Sequence, residues 1–209
     1  MRKKKTVFII ISMAVIIFIL GMATLFGYHN IIRPQLTKKF GTNIKPTENF
    51  PLKDIVYYLQ DDPLWSEDKI GGTDKKMSSH GCLISCVAAS ISHLGITTDP
   101  KEVNERLIAN EGYDGADLIW YKIKEAFPGI DYRYKNSFTE DDINHDLKNG
   151  FLPIVKVKYK GRFVYHWVLI IGAQEGEYFV YDPLEKSKKP ILLSTHGKTY
   201  SYRVLYKES

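Results

Sequence analysis

The chain has 209 residues, which suffices for one domain with a sizeable core and an additional segment. Its net charge is +5, but four of the basic residues lie in the first five positions, and the remainder carries 25 basic against 24 acidic residues. Such a balanced remainder lacks the excess of positive charge that is typical of nucleic-acid binding, so we expect no nucleic-acid partner.

The N-terminus has the pattern of a membrane anchor. The basic residues at positions 2–5 precede an apolar run from Val7 to Phe26, and a helix of this length is about 30 Å long, which matches the hydrocarbon core of a bilayer. Basic residues on the short side predict that this end stays in the cytoplasm and that the remainder is exported. We therefore predict a cytoplasmic tip and a single-pass transmembrane signal anchor over residues 1–27 of a cell-membrane protein. A cleaved signal peptide is the alternative, although its apolar region is typically shorter and ends at a small-x-small site.

Residues 28–51 have the composition of a tether. Pro34, Pro46 and Pro51 interrupt this stretch, and no apolar periodicity is sustained between them. We predict that the folded, extracytoplasmic domain occupies residues 52–209.

A cysteine opens the most regular helical pattern of this domain. Between Gly81 and Gly95, apolar or small residues recur at spacings of three and four, which predicts a helix with one face in the core. Cys82 lies in the first turn, where unpaired backbone N–H groups and the helix dipole favour the thiolate and can stabilise an oxyanion. These conditions suit a nucleophilic cysteine. The alternative is that Cys82 is a small buried hydrophobic residue.

Cys86 follows one helical turn later. A disulfide between the two cysteines fits the required geometry poorly, so we expect both to be reduced, with Cys86 facing the core. A zinc site formed by His80, Cys82 and Cys86 is a further alternative, but its spacing differs from that of the common structural sites. We therefore expect no zinc at these residues, and nucleophilic chemistry at Cys82 requires no metal and no organic cofactor.

The middle of the domain is predicted to be helical and its C-terminal third to form a sheet. The predicted helices span residues 99–110, 117–127 and 139–147, and the predicted strands span residues 151–159, 163–172, 178–181 and 200–206. Helices followed by strands indicate an α+β domain, with the helices on one side of an antiparallel sheet. In the first strand, Lys156, Lys158 and Lys160 share one face, which we interpret as a solvated face rather than a basic binding patch.

His166 and Asp182 bear on the interpretation of Cys82. If the hairpin is centred near Gln174, residues whose numbers sum to 348 face each other, and the Cβ atoms of His166 and Asp182 are about 5 Å apart. The carboxylate can then orient the imidazole, which takes the thiol proton, as in a nucleophilic triad. The alternatives are a core histidine bonded to a carbonyl group and a turn aspartate before a proline. We set His196 aside because its sequence surroundings are polar.

Four stretches of the sequence resemble the peptidase C39-like family, a branch of the papain-like cysteine peptidase fold. Residues 81–95 resemble the family's Gly-Cys-Gly-Pro-Thr-Ser-x-Ala-Met helix, and residues 60–65 resemble its Gln-x-Asp-x-x-Trp motif. The stretches His166-Trp167-Val168, with Gly172, and Asp182-Pro183 complete the likeness. The resemblance implies that Cys82 is the nucleophile, His166 the general base and acid, Asp182 the residue that orients it, and Gln60 the side-chain donor of an oxyanion hole.

The sequence departs from the family pattern beside two of these residues. Leu83 replaces the glycine after the cysteine, and Tyr165 stands where a glycine often precedes the histidine. We expect the bulk of both side chains to narrow the substrate cleft.

The resemblance implies a membrane-anchored thiol hydrolase that cleaves peptide or other amide bonds in a peptide or protein substrate. Two alternatives remain open. An acyltransferase would resolve the same thioester with an amine, and a catalytically silent domain of this type would bind a peptide without cleaving it.

Overall fold

The computed structural model describes residues 2–135 and 137–208, with side-chain surroundings from residue 13 onward. Residues 1 and 209, at the outer ends of the predicted anchor and the predicted domain, lie outside the described residues. The helices are α1 (Arg2–Gly27), α2 (Arg33–Phe40), α3 (Met77–His80), α4 (Cys82–His93), α5 (Pro100–Ala109), α6 (Ile123–Ala126) and α7 (Glu140–Lys148). The strands are β1 (Tyr113–Asp114), β2 (Asp117–Leu118), β3 (Ile130–Lys135), β4 (Pro153–Lys158), β5 (Tyr165–Gln174), β6 (Glu177–Tyr181), β7 (Ile191–Leu192) and β8 (Thr199–Lys207).

The N-terminal helix is long and exposed. A π-helical turn, Tyr28–Ile32, joins α1 to α2, so that Met13–Phe40 is one helical stretch long and apolar enough to cross a membrane. Its apolar side chains, including Ile17, Phe18 and Phe26, are well exposed in the structure. Exposed apolar surface on this scale is typical of a helix that contacts lipid or another apolar partner.

The sheet is antiparallel and has six strands in the order β3-β8-β4-β5-β6-β7. Helix α4 packs against the central strand β5, and Cys86, Val87, Ala88 and Ile91 of the helix are fully buried there. The expected α+β class and the expected packing of the cysteine helix on an antiparallel sheet are confirmed.

Local signals account well for several elements. Asp99 caps α5 by accepting the backbone N–H of Glu102 at 2.8 Å. Helix α7 begins with a capping box in which Asp142 accepts the backbone N–H of Thr139 at 2.8 Å. The four predicted strands correspond to β4, β5, β6 and β8, while β3 and β7 were not expected.

The helix predicted over residues 117–127 is wrong in its first half. Residues 113–118 form a small hairpin in which Tyr113 pairs with Leu118, with Gly115 in the left-handed region at φ +61°. A 3₁₀ turn follows, and only Ile123–Ala126 is α-helical. The turn at Gly115 reverses the chain, so the pairing of β2 with β1 replaces the helical hydrogen bonds that Asp117 and Leu118 would have made.

The segment predicted as a tether makes several contacts with the domain. Thr42 pairs with Thr199, and the buried Phe50 exchanges two backbone hydrogen bonds with Ala173, of 2.7 and 3.0 Å. Gly172 permits this approach, because a Cβ atom there would lie 2.8 Å from the Leu52 side chain and 2.9 Å from its Cα. Residues 50–53 thus run beside the end of β5, while the domain boundary near residue 52 stays a prediction.

Candidate active site

Cys82 is the first residue of α4, and its position depends on the glycine before it. A Cβ atom at Gly81 would lie 2.5 Å from the carbonyl oxygen of Met77, so only glycine allows α3 and α4 to follow each other this closely. Cys82 is half-buried, and both cysteines are free. The thiol therefore belongs to a partly exposed residue at the N-terminal end of a 12-residue helix.

His166 and Asp182 form a buried pair. Nε2 of His166 lies 2.6 Å from Oδ1 of Asp182, and both side chains are almost completely excluded from solvent. Oδ1 also accepts the backbone N–H of Leu184 at 2.8 Å, which holds the carboxylate at the end of β6. Because Nε2 of His166 is hydrogen-bonded to Asp182, Nδ1 is the ring nitrogen that can interact with Cys82.

The register behind this pair differs from the expected one. The turn pairs Gln174 with Glu177, and a β-bulge between Ile170 and Gly172 then changes the register so that Leu169 faces Tyr181. Asp182 comes directly after Tyr181, so it lies diagonal to His166 and not directly across from it. The prediction that the two residues face each other is wrong by two positions, and because side chains alternate with period two, both still lie on the same face.

The charges of the three side chains act on one another. Burial by itself lowers the pKa of His166, but hydrogen bonds and charge from Asp182 and Cys82 outweigh it and raise the pKa to about 9. Burial raises the pKa of Asp182, whereas the hydrogen bond and charge of His166 lower it, and the net result is a pKa below the usual range. The imidazolium form of His166, held by the Asp182 carboxylate, is therefore favoured near neutral pH.

Gln60 connects the loops on both sides of this pair. Its Nε2 donates to the carbonyl oxygen of Ser78 at 2.8 Å, and its backbone N–H donates to the carbonyl oxygen of Pro183 at 3.0 Å. The side chain is buried, and its Nε2 carries a second N–H besides the one that Ser78 accepts. Hydrogen bonds thus link Gln60 to Ser78, four residues before Cys82, and to Pro183, directly after Asp182.

Cys86 has a different environment from Cys82. It is fully buried, and its Sγ donates to the carbonyl oxygen of Trp167 at 3.5 Å. Burial raises the pKa of the Cys86 thiol well above its ordinary value, so Cys86 remains a neutral core residue.

A zinc site is not assembled from the residues that sequence analysis considered for it. His80 contacts Ser79 through Nδ1 at 2.9 Å, whereas Cys86 points toward the carbonyl of Trp167. Within residues 2–135 and 137–208, no group of three or more His, Cys, Asp or Glu side chains is arranged to hold a metal ion.

His196 is the site residue that sequence analysis missed. It is buried, its Nδ1 accepts the backbone N–H of Lys160 at 3.1 Å, and its Nε2 lies 3.5 Å from Oδ2 of Asp182. The ring of Tyr159 lies beside both histidines, with centroid distances of 5.3 Å to His166 and 6.0 Å to His196. The polar neighbours of His196 in sequence concealed its burial, which depends on contacts with residues about 36 positions earlier.

The two bulky departures from the family pattern differ in their effect. Tyr165 lies on the opposite face of β5 from the adjacent His166, and its ring packs edge-on against Tyr200 with centroids 5.3 Å apart. Tyr165 therefore points away from the side on which Cys82 lies, so the expectation that it narrows the cleft is wrong. Leu83 is half-buried and packs against the core.

Comparisons with known proteins agree with this architecture. No protein-family model and no curated protein matches the sequence. A crystal structure from Bacillus anthracis, provisionally assigned as a C39-like peptidase, matches with a TM-score of 0.55 and 15% sequence identity. The match covers 78% of this chain and 99% of that one, so nearly the whole of the other molecule is superimposed. The expected resemblance is thereby confirmed at the level of the fold, and this chain has the fold of a C39-like peptidase.

Proposed function

We propose that this protein is a membrane-anchored thiol hydrolase of peptide or amide bonds, with Cys82 as nucleophile. The observation that carries the proposal is the buried His166–Asp182 pair, 2.6 Å apart, in which Asp182 and Cys82 together raise the pKa of His166 to about 9. Imidazolium and thiolate are the charge states in which a cysteine nucleophile attacks a carbonyl carbon.

The catalytic cycle follows from these positions. The Cys82 thiolate adds to the carbonyl carbon of the scissile bond, and the negative charge moves to the carbonyl oxygen. The imidazolium of His166 then donates its proton to the amine, which leaves as the C–N bond breaks, and a thioester to Cys82 remains. A water molecule, deprotonated by His166, adds to the thioester and releases the acid, which regenerates thiolate and imidazolium.

Gln60 has a distinct part in this cycle. The free N–H of its Nε2 and the backbone N–H of Cys82 at the start of α4 are suitable donors for the oxyanion. Asp182 contributes by holding the imidazole through Nε2, so that Nδ1 stays directed to the sulfur and the imidazolium is stabilised.

The proposal includes the orientation of the protein. The helical stretch Met13–Phe40 anchors the chain in the cell membrane, and the basic residues at positions 2–5 keep the N-terminus in the cytoplasm. The catalytic domain then acts outside the cytoplasm, on a peptide or protein substrate.

The test is the rate of iodoacetamide labelling of Cys82 against pH, measured by mass spectrometry on the full chain in a mild detergent. We expect labelling that remains fast well below pH 7 and that slows at least tenfold in His166→Ala. Cys86→Ser is the matched control, because a hydroxyl can also donate to the Trp167 carbonyl, and its labelling should equal that of the wild type.

An opposite result would remove the catalytic proposal. If labelling appears only near pH 8.5, as for an ordinary thiol, and does not depend on position 166, then His166 does not activate Cys82. The fold would then serve as a peptide-binding module.

A further inference from the structure

A cavity lies on the face of the sheet opposite α4. Its volume is about 480 Å³, and its walls come from α2 and from the outward-facing side chains of β3, β4, β5 and β8. On β5, Tyr165 and Trp167 line this cavity, whereas His166 between them faces Cys82. The cavity is therefore separate from the catalytic residues.

The walls of this cavity are cationic and aromatic. Four basic side chains line it and no acidic one does; they are Lys38, Lys135, Lys156 and Arg203. Lys135 is paired with Asp142, whereas Lys38 and Lys156 have no ion-pair partner among the described residues. A cluster of four positive charges, of which only Lys135 has an acidic partner in the described part of the chain, favours an anion with several oxygen acceptors.

Arg203 is the fourth cation of the cavity wall. Its NH1 group donates to Ser201 Oγ at 2.9 Å and to the Tyr202 carbonyl at 2.7 Å. Its Nε–H is buried and has no acceptor in the part of the chain that the structure describes. This N–H is itself shielded from the cavity, so Arg203 contributes its positive charge to the cavity wall rather than an open Nε–H donor.

Aromatic side chains hold Lys156 in place. Its Nζ lies 4.4 Å from the ring centroid of Tyr165 and 5.8 Å from that of Trp167. Sequence analysis predicted a solvated lysine face here. In the structure, α2 covers part of this face and brings Lys38 near Lys156. The alternating pattern of the strand does not reveal this arrangement.

The position of α2 indicates the source of the anion. The lining residues Pro34, Gln35 and Lys38 belong to the same helical stretch as the proposed anchor. Exposed apolar side chains flank Lys38 on this helix, at Leu36 and Phe40. Such side chains suit a membrane interface, where the long side chain of Lys38 can reach the lipid headgroups.

An exposed apolar loop lies beside the same cavity. Phe163 and Val164, just before β5, are 95% and 65% exposed. Nζ of Lys158 lies 5.3 Å from the ring of Phe163 and 5.3 Å from the ring of Tyr200, which lines the cavity. Apolar tips beside lysines and aromatic rings are typical of surfaces that rest on a membrane interface.

We infer that this cavity binds the phosphate-bearing headgroup of an anionic phospholipid, next to the point where the chain leaves the bilayer. The inference rests on the membrane anchoring proposed above and is independent of the hydrolase activity. It places the outer face of the sheet toward the headgroups and the Cys82 side away from them.

The test uses the full chain in dodecyl maltoside, titrated with dihexanoyl phosphatidylglycerol and followed by tryptophan fluorescence, since Trp167 lines the cavity. We expect saturable binding that is at least tenfold tighter than binding of dihexanoyl phosphatidylcholine. Lys38→Gln with Lys156→Gln should weaken binding, by about fivefold for each lysine removed. The matched control is Lys101→Gln with Lys124→Gln, two exposed lysines on other helices, and it should bind as the wild type does.

Three results would overturn the inference: equal affinity for the two lipids, unchanged affinity in the Lys38/Lys156 variant, or equal affinity for glycerol 3-phosphate, which would indicate a soluble phosphate ligand. The single variant Lys38→Gln, on a helix outside the sheet, gives the same readout without altering the sheet. Extraction of membranes with alkaline carbonate tests the anchoring separately, because an integral helix resists it whatever the lipid titration shows.

Discussion

Nε2 of His196 lies 3.5 Å from Oδ2 of Asp182, on the side of the carboxylate that His166 does not use. The Nδ1 atom of His196 accepts a backbone N–H, so in the neutral ring the proton is on Nε2. Neither this Nε2 nor Oδ2 of Asp182 has a hydrogen-bond partner among the described residues. One buried aspartate thus has a charged histidine bonded to one oxygen and a neutral histidine near the other, and we propose that His196 helps to position Asp182 through its dipole.

The neutral state of His196 has a measurable consequence for stability. Burial lowers the pKa of His196 to about 4, although the charge of Asp182 partly opposes this. Between pH 6.5 and 4 the unfolded chain binds a proton that the folded chain does not, so the free energy of unfolding falls as the pH falls, by up to about 3 kcal/mol. Urea denaturation of the full chain in detergent at several pH values measures this. Between pH 6.5 and 4, we expect the free energy of unfolding to fall less in His196→Gln than in the wild type.

The control for this prediction is His145→Gln, because the side chain of His145 is 69% exposed. It should leave the pH dependence of unfolding as in the wild type. Identical pH dependence in the wild type and in His196→Gln would show that His196 is not the buried neutral group described above.

Asp182→Asn should weaken the activation of Cys82. The hydrogen bond and charge of Asp182 help to raise the pKa of His166, and without them burial lowers it again. Since the imidazolium then persists only at lower pH, the alkaline limit of the thiolate–imidazolium pair should shift downward by more than one pH unit. Iodoacetamide labelling at pH 7 should slow at least tenfold.

Asp74→Asn is the matched variant for this substitution, since Asp74 is an exposed aspartate in a surface ion pair with Lys69. Its labelling profile should follow that of the wild type. A profile for Asp182→Asn that coincides with the Asp74→Asn profile would contradict the assigned role of Asp182.

Gly81→Ala should destabilise the domain. The added Cβ would lie 2.5 Å from the Met77 carbonyl oxygen, which is backbone and cannot move away without shifting α3. We expect a loss of about 1–3 kcal/mol in the free energy of unfolding, together with slower labelling of Cys82. Gly27→Ala is the control, because a Cβ atom at Gly27 meets nothing within 4 Å. Equal urea midpoints for the two variants would show that Gly81 has no packing role.

Much of the fold could be predicted because its signals are local. The caps at Asp99 and Thr139 and the apolar periodicity after Cys82 act within a few residues, and the corresponding helices are present. The small hairpin at residues 113–118 could not be predicted in this way, since its formation depends on a turn that competes with a plausible helical pattern.

The candidate site was predictable in its members and less so in its geometry. His166 and Asp182 share a face only because of the β-bulge near Ile171. The turn at residues 175–176 sets one register of β5 against β6, and the bulge shifts that register by one residue. If the register at the turn continued without the bulge, Asp182 would face Leu169 and lie on the opposite face from His166. Gly172 beside the bulge is a sequence signal for a bulge or for a close backbone approach, but it does not decide between the two or fix the register. The distant contact that buries His196 leaves no mark in the sequence.

Gln60→Ala should separate acylation of Cys82 from alkylation. Acylation by p-nitrophenyl acetate passes through an oxyanion that the Nε2–H of Gln60 stabilises, whereas alkylation by iodoacetamide forms no oxyanion. We therefore expect acylation of the full chain to slow by about a hundredfold, the usual effect of losing one oxyanion donor, and alkylation to change by less than about twofold. Gln174→Ala, at an exposed position in the hairpin, should change neither rate. Because Gln60 also links the loops at Ser78 and Pro183, a purely structural role would displace Cys82 and slow both reactions equally, and that result would exclude Gln60 as the oxyanion donor.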